Sequence, residues 1–209
     1  RRMINASTRS IESVDRRNSV VSAGLGPYGG GSKSPRSRPL RFWRELFCLD
    51  DDLDRACRAK TRFDVFGEHA IKTSGGPGRS ALHPDDASSG DLPQMRRVLK
   101  AAERAGTAPG RHLIWVTELW WESNPPDTAQ GVSLGTQARY IVETMYLAWK
   151  AGASAAIALQ VHDRPYTPET RFDRSSTGIY FSDGRAKPSA RAFAFPFVAD
   201  GGKGRTTVW

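Results

Sequence analysis

The chain has 209 residues, 38% of them hydrophobic and 10% aromatic, which is enough for one domain with a sizeable core. No apolar run approaches the ~20 residues of a membrane-spanning helix, and no signal peptide is visible behind Arg1-Arg2-Met3-Ile4. The net charge of +9 is concentrated in residues 1–62, which hold 14 Lys/Arg against 7 Asp/Glu. The excess does not interleave with the aromatics at Trp115–Trp121, so a nucleic-acid stacking platform is disfavoured.

Ile4, Ile11 and Val14 predict a short amphipathic helix over 3–15. Val20-Val21-Ser22-Ala23-Gly24 reads as a short strand closed by Gly24-Leu25-Gly26-Pro27, and residues 28–38 as a basic, flexible loop. Beyond Pro39, the spacing of Leu40, Trp43, Leu46 and Phe47 is helical until the acidic stretch Asp50–Asp54 breaks it. Cys48 and Cys57 could close that stretch as a disulfide, or stand as a buried Cys48 and a free thiol. No CxxC or His pair lies nearby, so neither a metal nor another cofactor is expected.

Phe63-Asp64-Val65-Phe66-Gly67-Glu68-His69 is a second strand, followed by a long Gly/Ser/Pro/Asp loop over 72–90. Asp91, Pro93 and Gln94 predict a helix start with an N-cap acid and a capping-box Gln; its face Leu92, Met95, Leu99, Ala102 ends before Gly106. The third strand, His112–Trp121, is the most informative stretch. Five apolar or β-branched residues, Leu113 to Thr117, run into Glu118, with Trp115, Trp120 and Trp121 around it. A carboxylate closing a buried strand must be solvated, paired or used, because burying it unpaired is expensive.

Ser133 opens a long helix through Tyr140, Ile141, Met145 and Ala148, ending at Gly152. Ala155–Val161 is a continuous apolar run, as in a strand buried on both faces, and it ends in His162-Asp163-Arg164. Asp183-Gly184 forms a turn, Lys187-Pro188 starts a last helix, and the Gly-rich residues 199–209 are expected to be a disordered tail. The alternation of strand and helix argues an α/β fold with a parallel sheet. Three strands end in chemically capable residues, His69, Glu118 and Asp163, and carboxyl ends of parallel strands are where sites of such folds gather. Four units do not close an eight-stranded barrel, so the alternatives are a small open sheet or half of a barrel.

From about Ile11 to Phe197 the chain resembles the C-terminal half of the clan A retaining glycoside hydrolases, (β/α)8 barrels that include family 5 cellulases and family 39 xylosidases. Phe63-Asp64-Val65 with His69 looks like that family's sixth strand, Trp115-Val116-Thr117-Glu118-Leu119-Trp120 like its seventh, and Gln137-Ala138 with Tyr140 like the helix after it. Thr177-Gly178, Asp183-Gly184, Lys187-Pro188 and Ala192-Phe193 look like the closing signature, in the right order.

The resemblance implies that residues 1–198 are parallel βα units forming strands 5–8 of a TIM-type barrel. It implies Glu118 as the nucleophile, with His69, Trp120 and Asp163 as substrate-binding residues. Trp120 shares a face with Glu118 while Trp121 packs the other way. Retaining chemistry needs a second carboxyl about 5–5.5 Å away, which the family places after an Asn-Glu pair on the fourth strand. No Asn-Glu pair occurs in this chain, and Glu68, adjacent to His69, should face away from the site. The family's Tyr after the sixth-strand His is also absent, the sequence reading His69-Ala70-Ile71.

The implied partners are an oligo- or polysaccharide and an N-terminal half-barrel. Relatives that degrade polysaccharides are often secreted, and a leader would lie upstream of Arg1. The alternative is a catalytically incomplete carbohydrate-binding or structural remnant of such a barrel.

Overall fold

The computed structural model describes residues 1–209 except 32, 33, 73, 168, 171, 172, 174, 196–198, 203, 204 and 209. In chain order it contains α1 (Arg2–Val14), α2 (Pro39–Leu46), β1 (Val65–His69), α3 (Leu92–Ala105), β2 (Leu113–Leu119) and two-residue strands β3 (Ser123–Asn124) and β4 (Val132–Ser133). These are followed by α4 (Leu134–Lys150), β5 (Ala155–Ala158), α5 (Pro188–Ala194), β6 (Ala199–Gly202) and β7 (Arg205–Val208).

The main sheet is parallel with order β1-β2-β5. Residues 20–22, expected as a strand, lie along the free edge of β1. Val21 bridges Val65, and Ser22 N–H donates to the Val65 carbonyl at 2.8 Å. The four extended segments therefore lie side by side in chain order, each fed by a helix that returns the chain to the same end. Among the described residues no helix is long and apolar enough to cross a membrane.

Side-chain alternation makes one face of this sheet the core. Along β2, Ile114 and Val116 are buried while Leu113, Trp115 and Thr117 are not, and a register irregularity between Val116 and Leu119 returns Leu119 to the buried face. The buried face packs under α2 (Leu40, Trp43), α3 (Met95, Val98, Leu99, Ala102) and α4 (Ile141, Ala148), all at helical i, i+3, i+4 or i+7 spacings. Trp43 anchors it, with ring centroids 4.6 Å from Phe66 and 5.4 Å from Phe47. Each such ring contributes roughly 1.5–3 kcal/mol by leaving water.

The opposite face is open. β5 does not behave as a strand buried on both sides: Ile157 is 49% exposed, and Leu159 and Val161 beyond it 37% and 58%. The strand is also shorter than the apolar run suggests. β5 is an edge of the sheet: Ala156 and Ala158 pack against the core, while Ile157, Leu159 and Val161 stay exposed on the other side.

Helix ends show where local rules hold and where they yield. Ser133 caps α4, its hydroxyl accepting from Thr136 N–H at 3.2 Å, and Gly106 closes α3 with a left-handed φ of 68°. The expected Asp91–Gln94 capping box does not form. Asp91 Oδ2 instead accepts from Ser88 N–H (2.9 Å) and Ala81 N–H (2.8 Å), tying a 3-10 turn at Ser89–Asp91 to the loop before it. At the C-terminus β6 and β7 pair antiparallel, where glycine content suggests disorder. The β-branched run Thr206-Thr207-Val208 favours extended backbone and offsets the glycines.

Of the two alternatives for the cysteines, the structure has the disulfide: Cys48 is bonded to Cys57 across the acidic loop. Closing a loop of this length removes unfolded-chain entropy worth about 2.5 kcal/mol. Urea unfolding of the Cys48→Ser/Cys57→Ser variant is expected to show that loss against the oxidised protein. Equal stabilities would mean that the loop is held by its hydrogen bonds alone.

Candidate active site

β1 and β2 pair in a parallel register that sets His69 opposite Glu118 at their carboxyl ends. Among the described residues the Glu118 carboxylate has two polar partners. Trp120 Nε1 donates to Oε1 at 2.7 Å, and His69 Nδ1 lies 3.4 Å from Oε2. The Glu118 and His69 side chains keep 25% and 29% of their surface exposed, so the acid is oriented but accessible. Trp120 is 5% exposed and lines the same cavity as Glu118.

His69 is positioned from behind by a glycine. A Cβ on Gly24 would stand 2.2 Å from His69 Nε2 and 2.9 Å from Thr117 Oγ1, so the imidazole fits against Gly24 only because no side chain is there. Read locally, Gly24 is merely a strand end; its role depends on a residue 45 positions later. Trp121 points the other way, as alternation requires. Its ring packs on Tyr140 at 4.5 Å, and its Nε1 donates to Thr144 Oγ1 at 3.4 Å.

Glu118 opens into a cavity of about 490 Å³. Its other walls are Leu25, Gly26, Pro27 and Tyr28 from the segment after residues 20–22, Arg36 and Ser37 from the basic loop, and Ile71 and Trp120. The size is that of a small-molecule site. Glu118 is the only carboxylate among these walls. No group of His, Cys, Asp and Glu among the described residues is arranged to hold a metal ion. Sequence reasoning missed Tyr28, Arg36 and Ser37, because nothing local ties that loop to a strand 80 residues away.

Asp163 is not brought to this cavity. Its carboxylate is committed to Lys187 Nζ at 2.7 Å and to Gly178 N–H at 2.8 Å, with both side chains of the ion pair almost fully buried. Lys187 also donates to Ser123 Oγ (2.8 Å) and the Ser176 carbonyl (3.2 Å). The pair thus fastens the start of α5 to the segments at Asp163 and Ser176–Gly178. Burial pushes the Asp163 carboxyl up and the Lys187 amine down, and their mutual hydrogen bond opposes both shifts.

Glu68 faces the helices, opposite to His69, and is 1% exposed. Burial drives its carboxyl well above the usual range, against weaker pulls from the Trp43 indole and the His69 backbone N–H. Neither Glu68 Oε1 nor Trp43 Nε1 meets a partner with full hydrogen-bond geometry. A neutral carboxylic acid is the form this site tolerates.

No family model matches the chain, and no curated protein does. Solved structures do. A family 39 glycoside hydrolase from the gut symbiont Bacteroides cellulosilyticus WH2 superposes with a TM-score of 0.56 at 15% identity, over 99% of this chain and 50% of that one. A β-D-glucuronidase of Dictyoglomus thermophilum gives 0.47 at 12% identity, over 90% and 28%. The first likeness is one of fold: the chain follows a glycoside hydrolase along its whole length and spans half the length of that enzyme.

The buried acid has a measurable consequence. With its folded pKa raised, Glu68 contributes stability that is complete below the ordinary carboxylate value of about 4.3 and lost as pH rises toward the folded value. Glu68→Gln removes that slope, so its stability relative to wild type should climb, by at most about 1.4 kcal/mol per pH unit, as pH rises from the ordinary carboxylate range toward the folded value. Urea midpoints measured across that interval test it; parallel curves would mean that Glu68 is ionised in the fold.

Proposed function

We propose that this chain carries the nucleophile-bearing half of a retaining glycoside hydrolase, corresponding to strands 5–8 of a (β/α)8 barrel. The observation that carries the reading is the Glu118 carboxylate at the end of the central strand. It is oriented by the Trp120 indole and flanked by His69, on the wall of a cavity of sugar-binding size. The chain-order parallel sheet, with helices on one face and an apolar opposite face, supports the half-barrel. So does the 50% coverage of the family 39 enzyme.

In this reading Glu118 Oε2, the oxygen not tied to Trp120, attacks the anomeric carbon and forms a glycosyl-enzyme ester as the leaving group departs. Trp120 holds the other oxygen, so the carboxylate enters the reaction in one orientation. His69 adds a second polar contact beside the acid. Ile71 makes the wall apolar where the resembled family has a Tyr.

A proton must reach the leaving oxygen, and the second carboxyl that gives it stands about 5–5.5 Å from the nucleophile in retaining enzymes. Among the described residues Glu118 is the only acid on the cavity wall, and Glu68 is sealed in the core. The acid/base therefore comes from a complementary half-barrel, whose strands would also cover Leu113, Ile157 and Val161. Asp163 and Lys187 serve as scaffold. The substrate is an oligo- or polysaccharide.

The chain on its own is expected not to hydrolyse aryl glycosides. A longer reading frame that supplies the complementary strands should do so, and Glu118→Gln should lower kcat there by a factor on the order of 10³ or more. Turnover by the chain alone, abolished by Glu118→Gln, would place the second carboxyl within it. Activity of the longer frame that survives the substitution would remove Glu118 as nucleophile.

A further inference from the structure

The cavity holds a second fixed charge, of sign opposite to Glu118. Arg36 stands on its wall, with the hydroxyl-bearing Tyr28 and Ser37 on the same side. Among the described residues no carboxylate pairs with Arg36, whereas Arg38, two positions on, is held by Asp86 at 2.7 Å. Hydrogen bonds tie the described residues around Arg36 to one another. Gly30 N–H donates to the Arg36 carbonyl at 3.1 Å, and Arg36 N–H donates to Ser34 Oγ at 3.1 Å. Asp86 fastens both ends of the loop, taking Gly29 N–H at 2.9 Å as well as the Arg38 guanidinium.

A neutral sugar has no group that specifically needs a guanidinium. An anionic sugar approaching Glu118 meets like-charge repulsion, and a cation in the same cavity offsets it. The planar fork of Arg matches a carboxylate with two parallel hydrogen bonds, which a hydroxyl cannot accept in the same way.

We propose that the cavity takes a sugar bearing a carboxylate, a uronide. Arg36 is the residue that recognises the acid group, with the Tyr28 and Ser37 hydroxyls as flanking donors. This rests on the reading of the Glu118 cavity as a sugar site.

Ligand-observed NMR titration of the chain with glucuronate, galacturonate, glucose and galactose tests it. At least one uronate is expected to bind about 10–100-fold tighter than its neutral counterpart, the ratio a charge-assisted hydrogen bond supports. Arg36→Ala should bring that ratio near one, and Arg36→Lys should keep part of it by retaining the charge without the fork. A wild-type ratio near one, or a preference that survives Arg36→Ala, overturns the inference. If neutral sugars still bind and Trp120→Ala weakens them, the sugar site stands and only the uronide assignment falls. If none of the four binds, both fall together.

Discussion

The parallel register of β1 on β2 brings His69 opposite Glu118, and the rest of the site is arranged around that pairing. Side chains alternate along a strand, so the register that turns His69 toward the cavity also turns Glu68 into the core. A slip of one residue would exchange the two, putting a buried carboxyl at the cavity and an imidazole among the aromatics of α2. The large apolar side chains under the sheet oppose that slip. Phe66 would have to leave its contact with Trp43 at 4.6 Å and turn away from the core.

The sheet also explains why the molecule looks unfinished on one side. Helices α2, α3 and α4 cover a single face, and the other carries Leu113 and Ile157 half-exposed. Exposed apolar strands at a sheet edge are normally covered, paired or charged, and here they are none of these among the described residues. The cavity at the carboxyl ends has the same asymmetry. Among the described residues its walls carry one oriented carboxylate, Glu118, and the guanidinium of Arg36, with no second acid. In the proposed reading, the exposed apolar face and the lone acid are two aspects of one geometry.

Much of this was legible in residue patterns. The alternation of strands and helices, the shared face of Glu118 and Trp120, and the opposite facing of Glu68 follow from periods of 3.6 and 2. What escaped involves partners distant in sequence. Asp163 reads as a free strand-end acid because its cation, Lys187, lies 24 residues on at a helix start. Ala155–Val161 reads as fully buried because an apolar run is the same whether its second face is covered or bare. The tie from the basic loop to Asp86, through Gly29 N–H and the Arg38 guanidinium, is not visible locally because Asp86 sits in another glycine-rich loop. Gly24 and Arg36 become site residues only once the sheet order places their segment beside β1.

The central claim is that Glu118 forms the covalent bond to sugar. The direct measurement is trapping with an activated 2-deoxy-2-fluoro glycoside, applied to the chain joined with complementary barrel strands, followed by peptide mass spectrometry. The account predicts a single glycosyl adduct on the peptide containing Glu118, absent from Glu118→Gln. An adduct on another carboxylate, or turnover of the trapping reagent's parent glycoside with inversion and no adduct, would contradict it.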